Sequence, residues 1–279
     1  MQTNQIDLVA FGPRHLEGAL ALSRQAGWPH RLEDWQMALA LSEGFVAVDD
    51  SGRVVATVLV TSYKNDCATI NMVIVDEAMR GRGLGRKLMD AALSLAGERP
   101  LRLVATTDGL PLYQKLGFQE TGTVLQFQGP VSPVAAPAGV HAASPADIPA
   151  IAELDRQAFG ADREGLIAYL ANVGRFAVIR QGGKVSGFAA LRDFGRGELV
   201  GPVVASDLDD ASALISHFAA GRPGAFLRID TTLDTGLAPV LSGLGLQHVG
   251  GGIAMQRPPR PAAQNSTTRT FALASQALG

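Results

Sequence analysis

Residues 70–95 read INMVIVDEAMRGRGLGRKLMDAALSL, and the rest of the chain is organised around them. The stretch begins as an apolar run of strand length, with Ile70, Met72 and Ile74 expected on one face and Asn71, Val73 and Val75 on the other. Asp76 and Glu77 form a short acidic turn. Arg80-Gly81-Arg82-Gly83-Leu84-Gly85 follows, and then a helical pattern whose apolar side carries Leu84, Leu88, Ala91 or Ala92, and Leu95. Strand, glycine-rich loop and helix start together form an anion-binding device. With no side chains at Gly81, Gly83 and Gly85, backbone N–H groups can approach a ligand closely. The first N–H groups of the helix are unpaired, and its dipole favours negative charge there. Arg80, Arg82, Arg86 and Lys87 add positive charge, so a phosphate or pyrophosphate fits.

Two common phosphate motifs are excluded. A Walker loop ends in Gly-Lys-Ser/Thr, which Gly85-Arg86-Lys87 does not supply, and the dinucleotide fingerprint needs a glycine at position 86. The loop instead resembles the acetyl-CoA loop of the GNAT family of N-acetyltransferases, an Arg/Gln-x-x-Gly-x-Gly/Ala pattern after a strand. Leu110-Pro111-Leu112-Tyr113-Gln114-Lys115-Leu116-Gly117-Phe118 resembles that family's second signature, a short helix ending in Leu-Gly-Phe. The resemblance implies that acetyl-CoA is the acyl-donor cosubstrate. Val73, Ile74 and Val75 would then present backbone groups to the pantetheine arm, with an amide near Val73 or Ile74 polarising the thioester carbonyl. Arg80, Gly81, Arg82, Gly83, Leu84, Gly85 and Arg86 would hold the pyrophosphate. Tyr113 would donate a proton to the departing thiolate, unless its ring simply packs. Thr106 stands where the family often has an asparagine on the cofactor, so one hydrogen bond is kept there and an amide's two-sided pattern is lost.

The chain of 279 residues is long enough for two ordinary domains, and its 47% apolar and 18% charged content is that of a globular protein. A net charge near −2 offers no bulk attraction to nucleic acid or to an anionic membrane. Cys67, the only cysteine, rules out an intrachain disulfide framework and suits a reducing compartment. No stretch reaches the ~20 apolar residues of a membrane span, and MQTNQIDL lacks the regions of a signal peptide. The expected location is cytoplasmic. His15, His30, His141, His217 and His248 are scattered without a ligand pair, so no metal is expected.

Residues 5–11 read as a first strand and Pro13 opens a helix that Gly27 stops. A second helix covers 32–41. Residues 44–48 and 54–61 form a hairpin about Asp49-Asp50-Ser51-Gly52. Residues 101–105 are another strand, Asp108 is positioned to cap the helix carrying Tyr113, and 118–127 are a further strand. This β-α-α-β-β-β-α-β-α-β order is an α/β sandwich of the GNAT type.

Residues 1–129 are read as the acetyl-CoA-binding domain, 130–138 as a proline-containing linker, and 139–279 as a second, degenerate GNAT-like domain whose tail folds back. Each domain is expected to be a mixed, mostly antiparallel twisted sheet flanked by helices. The second half repeats the first: Phe226-Leu-Arg-Ile-Asp-Thr-Thr echoes Leu101-Arg-Leu-Val-Ala-Thr-Thr, Leu244-Gly245-Leu246 echoes Leu116-Gly117-Phe118, and residues 176–188 echo 45–56, all in the same order. Setting Val204 opposite Val75 places Asp209 at Arg80, Ser212 at Gly83 and Leu214 at Gly85, and Leu241 replaces Tyr113. Clustered carboxylates in place of glycines would repel pyrophosphate. Residues 257–268 read as a polar loop.

The expected reaction is acetyl transfer to a primary amine of a small molecule or amino acid, and a homodimer is compatible with it. A coenzyme A-binding regulatory module and a protein or peptide N-acetyltransferase remain alternatives. Asp34, Asp66 and waters held by Thr69 or Asn71 are candidates for the general base, although Asp34 and Asp66 also read as surface carboxylates. Trp28, His30 and Trp35 either border the acceptor cleft or, for Trp35, fill ordinary core.

Overall fold

The structure, a computed structural model, describes residues 6–259 and 267–279. Gln5, at the start of the expected first strand, and residues 260–266 of the expected polar loop lie outside the described residues. The first half runs β1 (Asp7–Ala10), α1 (Leu16–Gln25), α2 (Leu32–Ala40), β2 (Glu43–Val48), β3 (Val54–Tyr63), β4 (Cys67–Val75), α3 (Leu84–Ala96), β5 (Leu101–Ala105), α4 (Leu110–Lys115) and β6 (Gln119–Pro130). The second half repeats that order: β7 (Val140–Ala142), α5 (Ile148–Phe159), α6 (Glu164–Val173), β8 (Gly174–Gln181), β9 (Lys184–Phe194), β10 (Gly197–Ala205), α7 (Leu208–Ala220), β11 (Phe226–Thr232), α8 (Ala238–Gly243) and β12 (Gln247–Arg257). One strand, β13 (Arg269–Ala272), is added at the end. The expected element order holds throughout, and each echo falls on equivalent elements of the two halves.

All thirteen strands of the described residues join one sheet in the order β1-β2-β3-β4-β5-β12-β6-β11-β13-β10-β9-β8-β7. The halves exchange their closing strands. β12, from the second half, lies antiparallel to β5, with Ile253 opposite Ala105 and Arg257 opposite Leu101. β6, from the first half, lies antiparallel to β11, with Phe226 opposite Pro130 and Thr232 opposite Val124. β6 and β12 also pair with each other along most of their length. Gly251 lets them meet: a Cβ there would stand 1.9 Å from the Val124 carbonyl oxygen. The expected linker begins inside this structure, because Val131 is buried and its amide donates to the Ala225 carbonyl.

One face of the first half is covered by α3, which buries Leu84, Leu88, Met89, Ala92 and Ala96 against Val58, Val60, Ile70 and Leu103. The buried side of α3 therefore turns through Met89 and Ala96, leaving Ala91 and Leu95 half-buried. Each large side chain so placed contributes roughly 1.5–3 kcal/mol. The other face is covered by α1 and α2, where Trp35 is fully buried beside Leu20, Met72 and Ile74.

The expected face assignment of β4 needs a correction. Thr57 pairs with Ile74 and Leu59 with Asn71, so Val58 alone stands opposite both Met72 and Val73. Two residues against one is a β-bulge. Met72 takes φ +51°, a left-handed conformation rare for such a residue, and the Thr57 hydroxyl donates to its carbonyl at 2.7 Å. The bulge reverses the alternation. Ile70, Val73 and Val75 pack with the α3 layer, while Met72 and Ile74 pack with the α1/α2 layer. Asn71, bonded to Thr61 and Thr69, shares the face of Met72.

The second half departs from the first at two places. Only Ser206 and Asp207 separate β10 from α7, whereas residues 76–83 separate β4 from α3. The N-cap of α7 is Asp207, accepting from the Asp210 amide at 2.8 Å, and that of α3 is Gly83. Leu208 thus occupies the place of Leu84, and the expected pairings of Asp209 with Arg80, Ser212 with Gly83 and Leu214 with Gly85 do not hold. The glycine loop is deleted rather than replaced by carboxylates. The second departure is β13, which fills the gap where β10 and β11 part. β10 pairs with β11 at Glu198/Leu227 and Leu199/Arg228, then with β13 from Val203 to Ala205. β11 meets β13 at Thr231/Ala272.

Candidate active site

The first half has the same parting strands with no strand between them. The parallel pairing of β4 and β5 is confined to Ala68/Leu101 and Thr69/Arg102. Beyond it the strands diverge, β4 bending at the bulge, and a cavity of about 890 Å³ opens between them. That volume lies in the range of small-molecule sites. Val73, Ile74 and Val75 form one wall, Thr106 and Tyr113 the other, and Arg80, Gly81, Gly83, Leu84 and Gly85 the end at the start of α3.

Gly81 and Gly83 have φ of +75° and +78°, so the loop's turns need glycine, and a Cβ at either would project into open space. Gly83 caps α3 without a side chain, leaving the helix start facing the cavity. Arg82 and Arg86 do not line the cavity. Arg86 is held by Asp90 one turn along α3, Nε to Oδ1 at 2.8 Å. Thr106 lines the wall while its hydroxyl accepts from the Gly109 amide at 3.2 Å. Asp108 does not cap α4, which begins after Gly109 with no side-chain cap.

Tyr113 is 7% exposed, edge-on to Phe118, and still reaches the cavity wall. Burial pushes its phenol up to about 12, so it stays protonated at any ordinary pH. Leu241, its counterpart, is buried in the core of the second half. Among the further lining residues, Gln25 at the end of α1 and Gly251 from the exchanged strand β12 were invisible in the motifs, while Trp28, expected at the acceptor cleft, lines this cavity. The run Gly250-Gly251-Gly252 was the available signal, since three glycines within a strand mark close backbone approach.

The base candidates divide clearly. Asp34 is buried; burial works against its charge, but hydrogen bonds from Arg31 and the Gly195 amide hold the carboxyl below its usual range. It is a structural anion. Asp66 accepts from the Asp162 amide and does not line the cavity. His30 packs among Trp28, Trp35 and Phe194, with Ser23 Oγ 3.0 Å from its Nδ1. Burial lowers its pKa to about 4, against the pull of Asp34, which leaves a neutral and weakly basic ring. Trp35 is core and Trp28 borders the site. Among the described residues no cluster of metal-ligating side chains occurs, and no helix is long and apolar enough to cross a membrane.

This chain belongs to the GNAT acetyltransferases, with two such domains in tandem: models of the acetyltransferase (GNAT) domain match residues 41–120 and 151–269. It is an acyltransferase of the N-acetyltransferase type. Over 98% of both chains it is 29% identical to an uncharacterized N-acetyltransferase, YitH, of Bacillus subtilis. It is 27% identical to the holothin acyltransferase of a Pseudoalteromonas species, over 88% of each. Its fold matches a presumed acetyltransferase of Pyrococcus horikoshii with a TM-score of 0.82, at 20% identity over 100% of this chain and 99% of that one. A tandem GNAT protein of the clavulanic acid pathway matches with a TM-score of 0.60, at 15% identity over 92% and 100%.

Proposed function

We propose that the chain transfers the acetyl group of acetyl-CoA to the primary amine of a small molecule or amino acid, using the first half alone for the donor. The observation that carries this reading is a single cavity uniting the glycine loop, the bulged strand β4 and Tyr113. On this reading Arg80, Gly81, Gly83, Leu84 and Gly85 receive the pyrophosphate, with Arg82 and Arg86 adding charge nearby. Val73, Ile74 and Val75 run beside the pantetheine arm, and Thr106 borders it. These contacts are remote from the reacting carbon and supply affinity and position.

The acceptor nitrogen attacks the thioester carbonyl carbon; a C–N bond forms and the C–S bond breaks. Tyr113 gives its phenolic proton to the departing sulfur and regains one from solvent, while the surplus proton of the amine passes to water. The second half, with its loop deleted and its gap filled by β13, holds no donor and narrows the choice of acceptor.

Calorimetric titration with acetyl-CoA tests the reading. One site per chain is expected, lost in Gly83→Asp, which forces a carboxylate and a strained φ on the loop. Two sites would restore a donor function to the second half, and no binding would remove the acetyltransferase reading.

A further inference from the structure

Among the described residues three buried side-chain polar atoms have no hydrogen-bond partner: Thr270 Oγ1, and two on the α1/α2 side of the sheet, where the two halves meet. Of these two, one is a donor, Arg192 Nε, and the other an acceptor, Asn71 Oδ1. Groups so placed are costly and rare in native interiors. Arg192, on β9, is 5% exposed. Its other nitrogens reach only the Asp193 carbonyl at 3.2 Å and the Ala274 carbonyl at 3.5 Å, and Asp34 stands 3.7 Å away. Asn71 uses its amide nitrogen on Thr61 Oγ1 at 2.9 Å.

Arg192 lines a small cavity of about 50 Å³ together with His30, Asp34, Met72, Arg228 and Gln276. That is room for a group of carboxylate size. Ion pairing around it is uneven. Asp34 is taken by three donors of Arg31 and by the Gly195 amide. Asp230 is taken by Arg228, at 2.9 Å from the terminal nitrogen, and by Gln276 at 3.0 Å. Arg31 also stands 3.8 Å from Asp193, so three arginines meet three carboxylates, and Arg192 is the one whose nearest carboxylate, Asp34 at 3.7 Å, is already committed to Arg31; Arg192 and Arg228 both stack on Phe194, at 4.8 and 5.0 Å.

Met72, in the bulge, lines the small cavity, and its neighbour Val73, packed toward the opposite face of the sheet, lines the large one. His30 of the small cavity and Trp28 of the large one have ring centroids 5.6 Å apart. The same bulge sets Asn71 on the face of Met72. On the far side of Gln276 a further cavity of about 250 Å³, bordered by Thr69, Val104, Phe159 and Met255, offers mixed apolar space for the remainder of a small molecule.

We propose that the acceptor is a primary amine that also carries a carboxylate, an amino acid or a molecule ending as one. Its carboxylate is received by Arg192 and Arg228, its amine by Asn71 Oδ1, and its side chain by the larger cavity. A zwitterion supplies both missing partners at once, an acceptor for the arginine and a donor for the asparagine. The inference rests on the acetyltransferase reading and names its substrate class.

The test uses the full chain and matched acceptors: L-amino acids of varied side chain, each beside its decarboxylated amine, with acetyl-CoA titration alongside. Thiol release should favour the amino acid over its amine by about 100-fold in kcat/KM, as expected for a charge-assisted contact with a buried arginine. Arg192→Gln should raise KM for the amino acid and close that gap, and Arg192→Lys should restore part of it. A variant that loses activity on amino acid and amine in equal proportion has only lost structure, and overturns the proposal. So does a wild type that prefers the amines, or one that neither acetylates nor binds any member of the panel. If acetyl-CoA binds in those cases, only the carboxylate proposal falls; if acetyl-CoA fails as well, the donor reading falls with it.

Discussion

At the residue scale two groups are tuned by burial in opposite senses. Tyr113 is held as a neutral phenol, the form in which it can give up a proton to a thiolate. Tyr113→Phe removes that proton and little volume; turnover should fall about 100-fold while acetyl-CoA affinity, measured by calorimetry, changes less than threefold. An equal fall in both would make Tyr113 a packing residue. His30 is held neutral, with its pKa lowered to about 4 by burial. Its unfolded counterpart, near ~6.5, binds a proton first as pH falls. Stability contributed by the neutral ring is therefore complete above pH ~6.5 and is lost between there and pH ~4, by an amount on the order of 3 kcal/mol. Urea unfolding at pH 7 and pH 4.5 should show this loss in the wild type and a smaller one in His30→Phe. Equal losses would assign the acid sensitivity to other groups. The glycines of the loop and Tyr113 were legible in the sequence because loop geometry and short-helix motifs are local. Arg192 and Arg228 were not, because what makes them unusual is a set of neighbours drawn from β9, β11, α2 and the tail. The one local hint was a charge inside the apolar run Phe188-Ala-Ala-Leu-Arg-Asp-Phe.

At the scale of elements, order could be read from periodicity and turn residues, and the fine structure of β4 could not. Alternation put Met72 with Ile70, while the bulge puts it with Ile74, and nothing in a run of apolar residues marks where a ladder gains a residue. Thr57 holds the bulge by donating to the Met72 carbonyl in a fully buried position. Thr57→Val keeps the shape and deletes that bond. It should cost about 1–2 kcal/mol, visible as a drop of a few degrees in Tm, and should lower kcat by misaligning β4. A variant with wild-type Tm and kcat would show that the strand bulges without help from Thr57. The α7 start teaches a related lesson. Aligning the two halves by strand ends misplaced the helix, because a deletion in the loop is invisible when residues are matched at fixed spacing; the N-cap pair Gly83/Asp207 gives the true register.

At the scale of the molecule, the two halves repeat in sequence and yet are not separable in space, since β12 completes the first half and β6 the second. The repeat was legible because echoes survive in single strands; the exchange was not, because pairing partners leave no mark on either strand alone. A chain ended at residue 130 would leave β5 without its antiparallel neighbour and expose Leu103 and Ala105 at an edge. Such a fragment should aggregate or unfold in size-exclusion and circular dichroism measurements, whereas a stable, acetyl-CoA-binding fragment would show that β6 can return to its own half. The strand β13 has a separate consequence. In the second half the parted strands are bridged for good by the chain itself, whereas in the first half the proposed pantetheine arm is a bridge that comes and goes. The molecule therefore carries its own control for what a ligand does to a sheet. Amide protons along β10 and β11 should exchange slowly whatever is in solution, and those bordering the β4–β5 opening should exchange fast until acetyl-CoA arrives, then approach the slow pace of their counterparts.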